Sequence, residues 1–130
     1  MFTLNELKVA HSKVKSGADY PAYVKEIIKQ GVTEYETYVK DGKTVYFGVN
    51  NYHIESGPKY EPLVVNSTSD TEAFKKDLKS HQEGKTDYIT FCAEAAHAGV
   101  EKWVVNTDHM SCTYLDKNGN VIVVESIPTT

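Results

Sequence analysis

The sequence predicts an α+β domain built from an internally duplicated α-α-β-β-β unit, with helices packed on an antiparallel sheet. The first observation is that residues 19–35 match residues 87–103 without a gap, at a spacing of 68 positions. The second is that the hydrophobic period changes from 3.6 to 2 after the glycine inside each copy. The matched pairs are Asp19 and Asp87, Tyr20 and Tyr88, Tyr23 and Phe91, Glu26 and Glu94, Gly31 and Gly99, Val32 and Val100, and Tyr35 and Trp103. We therefore expect one domain over residues 1–130, with pseudo-repeats at about 1–60 and 67–130.

A helical hairpin is predicted at the start of the chain. Residues 3–15 form the first helix, because Thr3 and Glu6 have the spacing of a capping box. Asp19 is expected to cap the second helix with its carboxylate, and Gly31 supplies the left-handed position that ends it. The apolar face of the first helix carries Leu4, Leu7, His11 and Val14.

Three strands are predicted to follow in the first half. Residues 33–39 alternate between apolar and polar side chains, which is typical of a half-buried strand. Asp41–Gly42 is a strong hairpin signal, after which the chain returns as a second strand over Thr44–Val49. A third strand is predicted at Tyr52–Ser56. Residues 60–66 form either a short extra strand or the connection to the second half.

The second half repeats this plan. Ser69 and Glu72 are predicted to form a capping box that opens the third helix. Asp87 caps a fourth helix, which ends at Gly99 and is apolar nearly all round, so that we expect it to be buried. The predicted strands of this half are Glu101–Thr107, Ser111–Leu115 and Val121–Ile127, the last being the most apolar.

Composition places the chain among soluble globular proteins. Of its 130 residues 40% are hydrophobic and 25% charged, and the net charge of −4 argues against a broad phosphate-binding surface. No apolar run approaches the ~20 residues of a membrane span, and residues 1–16 lack a signal-peptide pattern. We therefore expect a cytoplasmic protein that binds neither nucleic acid nor membrane, with Cys92 and Cys112 reduced.

Several motifs resemble those of one known family. They are Asp87–Tyr88, Phe91–Cys92, residues 98–105 and Cys112–Thr113–Tyr114 in the second half, with Pro21–Ala22–Tyr23, Gly31–Val32, Tyr35–Glu36 and Tyr46–Phe47–Gly48 in the first. Nearly the whole chain thereby resembles the uncharacterised YdfO/YbcV-like family of bacterial and prophage proteins, some members of which are labelled phage envelope protein. The resemblance implies a small α+β fold, a domain of unknown function and no established activity.

The candidates for catalysis are Cys92, Cys112 and His109. Cys92 and His97 lie five residues apart on one helix, about 140° around its axis, so they do not form a pair and Cys92 is interpreted as a core residue. It becomes a nucleophile only if a histidine such as His109 or His53 reaches it from another element. His109 and Cys112 lie three residues apart at a turn, but no CxxC or HxxxH spacing accompanies them, so no metal and no cofactor are predicted.

Aromatic residues are the main hint of a binding site, since the chain has nine tyrosines and one tryptophan, several of them on predicted strands. The alternation along the strands places aromatic side chains on both faces of the sheet. Tyr38, Tyr46 and Trp103 are therefore the candidates for ligand contact. Asp19 and Asp87 could act as paired carboxylates related by the duplication, although helix capping explains both.

Three classes of function remain open at this point. The favoured one is a non-enzymatic accessory module that binds a small molecule or a protein, in the cleft between the repeats or on an aromatic sheet face. The second is a small cysteine- and histidine-dependent enzyme. The third is a phage structural or morphogenetic subunit. A homodimer formed through exposed strands or apolar faces is also feasible.

Overall fold

The computed structural model describes residues 2–14 and 19–127, and it has the predicted α+β class. The helices and strands, in chain order, are α1 (Leu4–His11), α2 (Tyr20–Gln30), β1 (Glu34–Tyr38), β2 (Thr44–Phe47), β3 (His53–Glu55), α3 (Thr71–Gln82), α4 (Tyr88–His97), β4 (Lys102–Asn106), β5 (Ser111–Leu115) and β6 (Val121–Ser126). None of the helices within the two described ranges is both long and apolar enough to cross a lipid bilayer.

The six strands form one antiparallel sheet in the order β3-β2-β1-β4-β5-β6. Its two central strands, β1 and β4, come from different halves of the chain. Their register places Glu36 opposite Val104, and these residues are 68 positions apart, which is the spacing of the sequence repeat. If the two halves were equivalent units, Glu36 and Val104 would be equivalent residues. Their direct pairing is what a twofold axis between the two units would produce. The duplication itself stays a prediction.

Two of the predicted helix caps are confirmed. Thr3 and Glu6 form a reciprocal capping box at α1, in which each side chain accepts a backbone N–H of the other residue. Asp87 caps α4, because its Oδ1 accepts the backbone N–H of Thr90 at 2.7 Å. These bonds satisfy donors that the first helical turn leaves without partners.

Two other caps differ from the prediction. α3 begins one residue later than expected, because the side chain of Asp70, and not that of Ser69, accepts the backbone N–H of Ala73. The predicted Ser69–Glu72 capping box is therefore wrong. Asp19 precedes α2 but makes no capping hydrogen bond, since its backbone already has helical angles (φ −86°, ψ −10°) and a capping residue is normally extended.

The helices cover one face of the sheet, and the main core lies between the two layers. The side chains on this inner face are Tyr35, Thr37, Thr44, Tyr46, Trp103, Val105, Cys112 and Tyr114, all of them buried.

α4 is less buried than predicted. It packs Phe91 and Cys92 inward, yet Ile89 stays 53% exposed. Val121 and Val124 are exposed on the edge strand β6, although its sequence is the most apolar of the predicted strands.

Residues 60–66 form a connection and not an extra strand. This segment runs back along the turn between β1 and β2, where Lys59 N–H donates to the carbonyl of Asp41 and Leu63 N–H donates to that of Lys40. The Tyr60 hydroxyl adds a bond to the Val39 carbonyl at 2.5 Å. These contacts hold the connection against the domain.

Candidate ligand-binding cavity

A cavity of about 620 Å³ lies between the helices and the inner face of the sheet. Both halves of the chain line it, with His11, Val14, Tyr20, Pro21, Tyr23, Tyr35, Thr37, Thr44, Tyr46 and Lys59 from the first and Leu78, His81, Gln82, Thr86, Asp87, Tyr88, Phe91, Trp103, Cys112, Tyr114, Glu125, Ser126 and Ile127 from the second. Small-molecule sites have volumes of roughly 300–1,000 Å³ and mostly apolar linings with a few polar groups. This cavity has both properties.

Aromatic rings from both halves of the chain form a large part of the wall. The rings of Tyr35 and Tyr46, on paired positions of β1 and β2, have centroids 5.6 Å apart. In the second half, Trp103 lies 6.4 Å from Tyr88 and 6.0 Å from Tyr114. Such rings present large apolar surfaces and lose little conformational entropy when they contact a ligand.

The hydroxyl groups of the first half are paired with one another. The Tyr20 hydroxyl bonds that of Tyr35, and the Tyr23 hydroxyl lies 3.4 Å from that of Tyr46. Burial raises the pKa of all four tyrosines. The hydroxyls are therefore neutral at physiological pH and offer hydrogen bonds without charge.

The acidic groups of the lining already hold protein hydrogen bonds. Glu125 accepts the Tyr114 hydroxyl on Oε1 at 2.8 Å and the Gln82 amide on Oε2 at 2.5 Å. Asp87 is used by the cap of α4, and the bonds from Thr90 lower its pKa. Both carboxylates thus have structural partners within the domain.

Lys59 supplies the basic group beside the aromatic wall. Its side chain is solvent-accessible, while the ammonium Nζ lies 5.8 Å from the ring centroid of Tyr88. Partial burial lowers the pKa of Lys59, and the charge of Lys8 adds to this effect. Among residues 2–14 and 19–127, no carboxylate forms an ion pair with Lys59.

Two histidines also line the cavity. The His11 ring packs on the edge of Tyr23 at 5.3 Å, and the pKa of His11 is lowered by burial and then by Lys59. The His81 ring stacks on Phe91 with centroids 4.3 Å apart, and burial also lowers its pKa. Both rings therefore favour the neutral form. They are packed in aromatic surroundings, as the apolar helix faces of the sequence indicate.

The predicted ligand contacts divide between the two faces of the sheet. Tyr46 and Trp103 line the cavity. Tyr38 belongs to the opposite face, where the Lys102 ammonium lies 5.6 Å from its ring and donates to Glu36 at 2.9 Å. The structure thus brings two of the three candidates to one site.

The predicted catalytic candidates are separated. Cys112 lines the cavity, Cys92 is buried in the core near Lys59 and Tyr60, and His109 is exposed in the turn before β5. Burial raises the pKa of Cys92, and it raises that of Cys112 to about 12. Both thiols are consequently protonated at neutral pH.

No metal site is evident in the part of the chain that the structure describes, since no three His, Cys, Asp or Glu side chains there are grouped around one point. The lining suits organic ligands better than metal ions, because most of its side-chain oxygen atoms belong to neutral hydroxyls, several of which are hydrogen-bonded to one another.

Sequence reasoning missed Lys59 and Glu125. Lys59 follows the Gly57–Pro58 break, and nothing in its local pattern indicates that the connection returns to the cavity. Glu125 lies within the predicted strand Val121–Ile127, and its inward position, opposite Cys112, follows from the strand alternation once the register is known.

Comparison with protein families matches residues 8–126 to a family described as protein of unknown function, DUF1398. No curated protein is similar to the chain. The expectation of a domain of unknown function is thereby confirmed, whereas the YdfO/YbcV-like name and the prophage origin stay predictions.

Proposed function

The chain belongs to DUF1398, a family of proteins of unknown function, and we propose that it is a non-enzymatic module that binds a small, largely apolar ligand in its central cavity. The observation that carries the proposal is the size and lining of this cavity. About 620 Å³ of space between the two layers is lined by aromatic rings and a few hydroxyls. In a domain of 130 residues, close packing would ordinarily fill such a space with side chains.

The chemistry of the lining favours binding over thiol catalysis. A cysteine nucleophile needs a lowered pKa or an adjacent base, and both thiols have raised pKa values. His109, the predicted base, is exposed in its turn, where its backbone N–H donates to Asn106. The described residues thus contain no activated thiol.

The cellular setting forms part of the same proposal. An accessory module of bacterial or prophage origin that acts in the cytoplasm fits the acidic composition and the family resemblance. A homodimer stays a prediction, and native mass spectrometry of the purified chain would test it together with any retained ligand.

The binding proposal can be tested with N-phenyl-1-naphthylamine, an uncharged aromatic probe whose emission rises in apolar surroundings. Trp103 is the single tryptophan of the chain and lines the cavity, so energy transfer from Trp103 to the probe reports binding at this site. We expect saturable one-to-one binding with quenching of Trp103. Absence of saturable binding would contradict the proposal.

A matched pair of substitutions locates the probe. Val14→Phe adds a ring to the cavity lining and should weaken probe binding about tenfold or more, because it fills space that the probe needs. Val9→Phe makes the same change on an exposed position of α1 and should leave binding unchanged. Equal effects of the two variants would place the probe elsewhere.

A further inference from the structure

We infer that the natural ligand is an aromatic or similarly apolar carboxylate, whose anionic group binds Lys59 while its body lies among the aromatic rings. This inference rests on the proposed binding function and adds the chemical class of the ligand. The charged groups of the lining differ in their partners. The carboxylates of Glu125 and Asp87 accept hydrogen bonds from the protein, whereas Lys59 forms no ion pair within the described residues.

Lys59 is placed for such a contact. It belongs to the cavity lining, and its ammonium lies 5.8 Å from the ring centroid of Tyr88. The Tyr88 ring in turn contacts the rings of His11 and Trp103 in the same wall. The connection that carries Lys59 is fastened by the bond from its own N–H to the Asp41 carbonyl at 2.8 Å. An apolar ligand lying on these rings would therefore have the ammonium within reach.

Within residues 2–14 and 19–127, the charge of Lys59 has no anionic partner in an ion pair. Each of the ion pairs in the described chain involves another lysine. The electrostatic neighbours of Lys59 include the cation Lys8 and the ionisable groups of Cys92 and His11. Lys59 is exposed as a residue, while its ammonium lies beside the apolar ring of Tyr88. A carboxylate bound there would supply the missing counter-charge in a partly apolar setting, where an ion pair is less screened than in bulk water.

The acidic lining does not offer an equivalent site for a cationic ligand. Both oxygens of Glu125 accept hydrogen bonds from within the domain, and Asp87 holds the first turn of α4. A cationic ligand would have to share oxygens that already accept hydrogen bonds from the protein. A carboxylate on Lys59 displaces no ion pair, and for this reason we assign the anionic class.

Two probes of the same shape test the assignment on the intact chain. 2-Naphthoate and 2-naphthamide differ in charge but share the aromatic body, and quenching of Trp103 measures the affinity of each at neutral pH. We expect naphthoate to bind about tenfold more tightly, because hydrogen bonds to charged groups are stronger than those between neutral groups. Lys59→Met should remove this advantage and leave the affinity for naphthamide unchanged.

The controls separate a direct contact from a general effect of charge. Lys8→Met removes a neighbouring positive charge that does not line the cavity, and it should preserve most of the preference for naphthoate. Lys59→Arg keeps the charge and should also preserve the preference for naphthoate.

If naphthamide binds as tightly as naphthoate, or if Lys59→Met weakens both equally, the anionic class is wrong although the binding function stands. If neither probe nor N-phenyl-1-naphthylamine binds, both proposals fail.

Discussion

Glu36 lies directly opposite Val104 at the centre of the sheet, and its carboxylate accepts a 2.9 Å bond from Lys102, two residues away on the same neighbouring strand. This strand pair joins the two halves of the chain. Each half alone would therefore have three strands with an unpaired inner edge, and the cavity would lose part of its wall. The two halves must fold together for the cavity to form.

Gly99 should be far less tolerant of substitution than Gly119. Both have positive φ angles, +87° and +82°, so an alanine at either costs about 1–2 kcal/mol of backbone strain. At Gly99 an added Cβ would also lie 2.8 Å from the Ser69 Cα and 2.8 Å from the Thr68 carbonyl oxygen, whereas nothing lies within 4 Å at Gly119. We expect urea denaturation to show about 1–3 kcal/mol more destabilisation for Gly99→Ala. Equal losses would show that the close approach is unimportant.

The buried tyrosines predict a cooperative alkaline transition. Burial raises the pKa of Tyr23, Tyr35, Tyr88 and Tyr114 above the unfolded value of about 10. The unfolded state then releases protons first as the pH rises, so stability is lost above about pH 10. We expect tyrosinate absorbance and loss of circular dichroism to appear together. Tyrosinate that forms fully before unfolding would contradict the burial of these hydroxyls.

His81 should make the protein less stable in mild acid. Its folded-state pKa is lowered by burial, so the unfolded state binds a proton at a higher pH, and stability falls as the pH drops below about 6.5. His81→Gln should lower stability at pH 7, because it loses the stacking on Phe91, but should reduce the decline between pH 7 and about 5. The pKa of His11 is lowered as well, so His11 accounts for any decline in stability that the His81→Gln variant still shows.

The two thiols should be protected in the native state. Cys92 and Cys112 are buried and have raised pKa values, so alkylation by iodoacetamide at pH 8 should be slow and should accelerate strongly on denaturation. Mass spectrometry after timed quenching measures both sites. Native alkylation of either thiol at the rate of the unfolded chain would favour the enzyme alternative over the binding module.

The elements of the fold could be predicted because their signals are local. The Thr3–Glu6 capping box, the cap at Asp87 and the Asp41–Gly42 turn depend on residues a few positions apart, and the structure has all three close to the predicted places. The shift from Ser69 to Asp70 arises because adjacent residues can both cap a helix, and short-range spacing does not decide between them.

The cavity could be predicted only in part, because it depends on long-range placement. Tyr46 and Trp103 belong to strands whose alternation indicates an inner face, and both line it. Lys59 comes from a connection without periodicity, and its position follows from hydrogen bonds to the β1–β2 turn that no sequence pattern indicates. Strand order between the halves could not be derived either, since pairing of β1 with β4 joins segments more than 60 residues apart.

Two identical units related by the axis near Glu36 and Val104 would present every lining side chain twice, and a ligand could then enter in two equivalent directions. This chain presents unlike groups instead. The connection after the first unit contributes Lys59, and the last strand of the second contributes Glu125. A molecule with dissimilar ends would therefore be held in one direction in preference to the reverse. A cavity lined by two unlike halves of one chain can thus favour a single ligand orientation, whereas a symmetric pair of units would accept two equally.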